Sequence, residues 1–172
     1  MKTTSDWKIA IPAALAFVLL GSLSGFVANS GYSNAWFAAL DKPAFMPPGW
    51  MFGLVWTSLY TLMGLALALV WTAPKSAGRQ AALSLFFAQL AVNFAWSPIF
   101  FGARMVEIGL LVIAVMFILA AMATWRFARI RPLAGWLLVP YLAWLCLAAA
   151  LNFEIGRLNP GADAAPIGIF GG

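Results

Sequence analysis

The chain has 172 residues, 64% of them apolar and only 9% charged, and its mean hydropathy is +0.93. A soluble domain carries about a quarter of its residues as charges, so composition excludes an ordinary soluble fold and leaves an integral membrane protein. The net charge of +5 fits a topology signal better than a nucleic-acid signal, because the basic residues sit in small groups between long uncharged runs; no nucleic-acid partner is expected.

Those runs are Ile9–Ala28, Pro43–Pro74, Gln80–Ala103, Ile108–Trp125 and Pro132–Phe153. Each supplies enough helix to cross a hydrocarbon core of about 30 Å, and no alternating ten-residue pattern of a membrane β-barrel is present. The expected fold is an all-α bundle of five transmembrane helices over 7–29, 47–72, 79–101, 105–128 and 133–157. Short connections make sequence neighbours antiparallel within one domain, 1–158. The Gly/Ala/Pro-rich stretch 159–172 is predicted to be disordered.

The first run follows Lys2 and Lys8 and has the outline of a secretory signal. Its apolar core is long and VANSG is a poor cleavage site, so it reads as a span. Gly21 and Gly25, with Ala28 beyond, give a weak close-packing signal. A structured lip at the membrane surface, about 30–47, leads into the second run. Residues 41–60, DKPAFMPPGWMFGLVWTSLY, hold three prolines, two tryptophans, two phenylalanines and Tyr60. A proline-stiffened aromatic lip on a membrane helix suits a flat apolar ligand.

The third span is the most legible. At about 100° per residue, Ala81, Ser84, Ala88, Ala91 and Ala95 share one stripe, and Gln89, Asn93, Trp96 and Phe100 share another, about 130° away. The smooth stripe predicts a homodimer contact or close packing within the chain. The polar-aromatic stripe predicts a cavity wall or an interhelical hydrogen bond. In the fifth span Trp136, Pro140, Trp144 and Ala148 recur every four residues, Pro140 threatens a bend, and Glu154 and Arg157 are spaced to pair.

Charge sets the orientation. Lys2, Lys8, Lys75, Arg79, Arg126, Arg129 and Arg131 lie on the N-terminal side; Lys42, Arg104 and Arg157 lie on the other. This predicts the N-terminus inside and the C-terminus outside, with Arg126, Arg129 and Arg131 against anionic headgroups.

The chain has no histidine, which removes the usual triads, a histidine base and imidazole ligation. The single Cys146 is expected in the core, with no metal site. No acid falls mid-span, so ion coupling is unsupported. Of nine tryptophans, Trp7, Trp71, Trp125 and Trp136 fit an interfacial belt. Trp56, Trp96 and Trp144 lie inside spans and are candidate walls of a ligand site.

WFAALDKPAFMPPGW, QLAVNFAWSPIFFGAR and VPYLAWLCLAAALNFEIGR together resemble the TspO/MBR family, the tryptophan-rich sensory proteins that include the mitochondrial translocator protein (peripheral benzodiazepine receptor). The resemblance spans about Trp36 to Arg157. It implies a five-helix protein, usually dimeric, that binds porphyrins and haem-pathway intermediates, and in some members sterols and isoquinoline or benzodiazepine-type drugs. It also implies a cover formed by Trp36, Phe37 and Pro47, pocket tryptophans Trp56 and Trp144, a polar contact from Asn93, and Ala148 beside the ligand. Tyr60, Gln89 and Trp96 complete the candidate binding set. Leu151, Phe153 and Arg157 stand where the sterol pattern has a tyrosine, so sterol is not expected.

The function expected is a membrane receptor or sensor for tetrapyrroles, with protoporphyrin IX or haem as ligand, no required cofactor, and Lys42 and Arg104 placed to attract propionates. The alternatives are light- and oxygen-dependent porphyrin degradation using Trp56 and Trp144, passive transport of tetrapyrroles or lipids, and a purely structural subunit.

Overall fold

A computed structural model describes residues 4–170, with side chains from Asp6 onward; Lys2, counted in the charge bias, lies outside the described residues. The elements are α1 (Thr4–Val27), α2 (Ala35–Ala39), α3 (Gly49–Trp71), α4 (Ala77–Ser97), a π-helical turn (Pro98–Gly102), α5 (Val106–Ile130) and α6 (Pro132–Leu158). Five of these are long and apolar enough to cross a membrane, the third formed by α4 and the π turn together.

Composition makes the helices and short polar punctuation ends them. Ser76 caps α4 by accepting from the Arg79 N–H at 3.1 Å, and Arg131 alone separates α5 from α6. Pro12 and Pro140 both sit inside continuous helices. The order around the bundle is α1, α3, α6, α5, α4, with α4 returning to touch α1. The main core runs along α3, α4, α5 and α6 through Met63, Phe86, Met116, Phe127 and Tyr141. Where α1 meets α3, a side chain on Gly64 would lie 2.6 Å from the Ala14 backbone nitrogen, so only glycine permits that approach. Gly21 plays the same part against the Tyr60 ring, which gives the weak first-span signal a physical partner.

Trp7, Trp71, Trp125 and Trp136 are exposed, with the Arg79 guanidinium over Trp71 and those of Arg126 and Arg129 over Trp125. This is the geometry of amphipathic side chains at an interface. Asp6 accepts from the Thr72 hydroxyl at 2.7 Å and ties the start of α1 to the end of α3. Glu154 and Arg157 pair at 2.7 Å on the exposed face of α6.

One expectation is corrected. Cys146 is exposed on α6 rather than buried: Leu145 points inward, and the next residue lies about 100° around the helix. Beyond 158 the chain through Phe170 lies against the start of α5. This stretch lacks helix-forming composition, yet its backbone N–H groups find acceptors on α5, where the Glu107 side chain accepts from the N–H groups of Ile167, Ile169 and Phe170.

Candidate functional site: an aromatic cavity under the lip

The lip is built from local hydrogen bonds. The Asn34 side chain accepts from the Phe37 N–H at 3.2 Å and so caps α2, while its amide donates to the Phe101 carbonyl at 3.3 Å. Gly31, with φ of 96°, makes the turn into the lip, a backbone conformation that costs glycine little. The Lys42 ammonium closes the other end of α2, donating to the carbonyls of Phe37 (2.7 Å), Ala38 (3.2 Å) and Leu40 (2.7 Å). Desolvation pulls the Lys42 pKa below its ordinary value, and the Asp41 carboxylate opposes the shift. Lys42 thus ties the lip's own carbonyls together; Arg104 is exposed and lies outside the cavity wall.

Beneath the lip a cavity of about 600 Å³ lies between the spans. Phe52, Trp56 and Tyr60, four residues apart on α3, present one aromatic face. Trp56 stacks on Tyr60 at 5.3 Å and meets Trp144 of α6 edge-on at 6.4 Å, and Phe52 meets Trp144 at 5.6 Å. The opposite wall comes from Trp96, Phe100 and Phe101. Trp96 stacks on Phe100 at 4.9 Å. Pro98 begins the π turn, whose wider backbone lets the adjacent Phe100 and Phe101 both reach the cavity.

The floor is polar and fully engaged. The Tyr60 hydroxyl donates to Asn93 Oδ1 at 2.8 Å, and the Asn93 amide donates to the Tyr141 hydroxyl at 3.1 Å and to Met116 Sδ at 3.5 Å. One asparagine thereby joins α3, α4, α5 and α6. Three buried polar atoms on cavity-lining residues have no partner: Trp96 Nε1, a donor, Asn152 Oδ1, an acceptor, and the Ser30 hydroxyl oxygen. Asn152 is 2% exposed, and its amide donates to the Val106 carbonyl at 2.8 Å. Among the described residues no charged side chain lines the cavity.

Of the residues singled out from sequence, Phe37, Trp56, Tyr60, Asn93, Trp96, Trp144 and Ala148 line this one space. Three do not. Gln89 is buried at 1% exposure one turn below Asn93, outside the cavity wall. Trp36 lies behind the wall, edge-on to Phe100 at 5.6 Å, with its indole N–H donating to the Ala162 carbonyl at 3.2 Å. Pro47 shapes the lip while its neighbours Met46 and Gly49 face the cavity. Of the polar lining residues that the sequence did not single out, Asn152 continues the Trp144–Ala148 stripe by one more step of four, and Ser22, Ser24, Ser30, Thr57 and Ser97 carry no such period. Tyr32 and Phe52 also line the cavity; Phe52 shares the step of four with Trp56 and Tyr60, whereas Tyr32 stands alone in a polar turn and carries no period. On α4, Ser84, Ala88, Ala91 and Ala95 are exposed on the outer face and Ala81 is half-buried, so that stripe does not pack within the chain. Among the described residues no cluster of metal-ligating side chains forms.

The chain matches a family model described as the TspO/MBR family over residues 12–158. It is 40% identical to the human Translocator protein over 153 residues, 86% of this chain and 90% of that protein. It is 44% identical over 126 residues to the Tryptophan-rich sensory protein of Cereibacter sphaeroides, covering 73% and 78% of the two chains. It is 39% identical over 150 residues to the Tryptophan-rich protein TspO of Archaeoglobus fulgidus, covering 87% and 94%. With five apolar spans around an aromatic cavity, this is an integral multi-pass membrane protein, and the chain belongs to the TspO/MBR family.

Proposed function

We propose that the chain is a membrane receptor that takes a tetrapyrrole such as protoporphyrin IX or haem into the cavity under the lip. Family membership supports the coarser sensory or receptor role. The observation that carries the finer reading is the wall chemistry: facing aromatic surfaces, no charged lining residue among those described, and unpaired Trp96 Nε1 and Asn152 Oδ1. Ligand sites of about 300–1,000 Å³ with mostly apolar walls and a few polar groups suit drug-sized molecules. A flat macrocycle stacks on one of Trp56 and Trp144 and meets the edge of the other, since the two indoles are nearly perpendicular, and its ring or substituent polar atoms supply the missing hydrogen bonds. Propionates, finding no cation inside, point toward the opening. Isoquinoline- or benzodiazepine-type molecules satisfy the same walls.

The test is a titration with protoporphyrin IX in the dark, followed by tryptophan quenching, with Trp144→Ala as comparison. Saturable binding weakened about tenfold in the variant, a loss of about 1.4 kcal/mol, is expected while circular dichroism stays unchanged. Equal, non-saturating quenching in both proteins overturns the reading and points to simple partitioning.

Contact between Trp56 and Trp144 favours one second reading, porphyrin degradation under light and oxygen. A new absorbing product that disappears in Trp56→Phe separates it from binding alone. Passive transport predicts ligand flux across liposomes.

The exposed Ser84–Ala95 stripe supports a homodimer through α4. Replacing Ala88 and Ala91 by Leu is expected to shift the detergent-solubilised protein to monomer; an unchanged dimer would move the interface elsewhere. The arginines near Trp125 support the N-terminus-inside orientation, which labelling of cysteines introduced at Ser76 and Ser33 checks.

A further inference from the structure

We propose that residues 159–170 form a latch that holds the lip over the cavity, that Glu107 is its catch, and that release of the latch sets how fast a ligand enters. The inference rests on the cavity being a ligand site, as proposed above; its structural half stands apart from the ligand's identity. The family match stops at residue 158, so the latch lies beyond the matched segment.

The latch is fixed at one end to the bundle. Glu107, in the first turn of α5, is 2% exposed. Its carboxylate accepts from the Ile167 N–H (2.6 Å), the Ile169 N–H (3.1 Å) and the Phe170 N–H (3.2 Å). In return Asp163 accepts from the Glu107 N–H at 2.6 Å. It thereby satisfies one of the orphan donors that every helix start leaves, and Met105 supplies no side-chain cap there. The Ala164 N–H donates to the Arg104 carbonyl at 3.0 Å. Phe170 meets Phe153 at 5.4 Å and lies where any side chain on Gly156 would be.

The other edge of the latch grips the lip. Asn159 clasps the backbone of Asp41 from both sides, accepting from its N–H and donating to its carbonyl, each at 2.8 Å. The Ala162 carbonyl takes the indole N–H of Trp36, the lip tryptophan that backs Phe100. The lip thus has the cavity on one side and the latch on the other.

The catch gives this contact two states rather than a gradual loosening. A buried carboxylate without its donors carries a large desolvation cost, so Glu107 is satisfied either by the latch backbone or by water that replaces it. In the second state Trp36 loses the Ala162 carbonyl, and the lip rests on Asn34, on the packing of Phe37 against Phe100 and Phe101, and on Asn159, which α6 holds only through the Ile155 and Gly156 carbonyls.

Hydrogen exchange by mass spectrometry on the full-length protein in nanodiscs tests the latch, comparing wild type with Glu107→Gln, Asp163→Asn and Gly156→Val. Exchange in both 159–170 and the lip, 30–47, is expected to rise about tenfold or more in the variants, with α3 and α4 unchanged. Protoporphyrin association is expected to quicken by a similar factor, with a smaller change in affinity. Faster exchange in 159–170 with an unchanged lip overturns the proposal, because the segment is then mere packing. An unchanged 159–170 overturns it as well, because Glu107 is then no catch. If Glu107→Gln disrupts the bundle itself, Asp163→Asn, which lies beyond the spans, decides on the same readout. If wild type binds no protoporphyrin, the tetrapyrrole reading fails while the exchange result still judges the latch.

Discussion

The floor and the roof of the cavity are held by different means. The floor is one buried asparagine bonded to two tyrosines, with side chains from α3, α4, α5 and α6 converging on it. The roof is a loop pinned mostly by backbone groups to Asn34, Lys42, Asn159 and the latch. Breaking the floor exposes unpaired hydroxyls in an apolar interior, whereas the roof's partners lie at the membrane surface, where water can replace them at little cost. A site that must admit a large ligand and keep its shape gains from this division: a rigid base fixes the ligand's position, and a separable cover controls entry.

The sharpest way to break that contrast is from below. Gly64→Leu drives a side chain into the Ala14 backbone, which cannot yield. It is expected to cost about 3 kcal/mol or more, read as a large drop in detergent unfolding temperature with loss of ligand binding. Asn93→Leu comes next. It leaves the Tyr60 and Tyr141 hydroxyls without their shared partner, at about 1–2 kcal/mol in a membrane setting. Unfolding temperature should fall and the stacked Trp56–Tyr60 pair should loosen, seen as altered tryptophan fluorescence. If Asn93→Leu leaves both unchanged, the floor is held by apolar packing and the contrast with the roof fails. The smallest effect is expected above. Asn34→Ala removes the α2 cap and the tie to Phe101, worth about 0.5–2 kcal/mol. That loss should appear as faster exchange in residues 30–47 with almost no change in global unfolding.

The five spans were legible because bilayer thickness demands long uncharged runs, and charges interrupt the chain only near span ends. The floor residue Asn93 and the wall residues Trp56, Trp96 and Trp144 were legible because polar or indole groups inside an apolar run need a reason. Gln89 has the same sequence character as Asn93 and shares its stripe, yet lies outside the cavity. One helical turn separates them, and only the packing of neighbouring helices decides which one meets open space. That Lys42 caps α2 was not legible, because the carbonyls it bonds become available only once α2 has formed.

The sequence by itself determined the membrane class, the number of spans, the lip and most of the aromatic walls, since each follows from composition or a local period. Tertiary structure alone decided that Cys146 faces outward, that Asn152 and Phe101 reach the cavity, and that residues 159–170 fold back onto Glu107. These depend on contacts between residues far apart in the chain. Glu107 and Ile167 stand 60 residues apart, and no period along a sequence encodes a hydrogen bond between a side chain and a distant backbone.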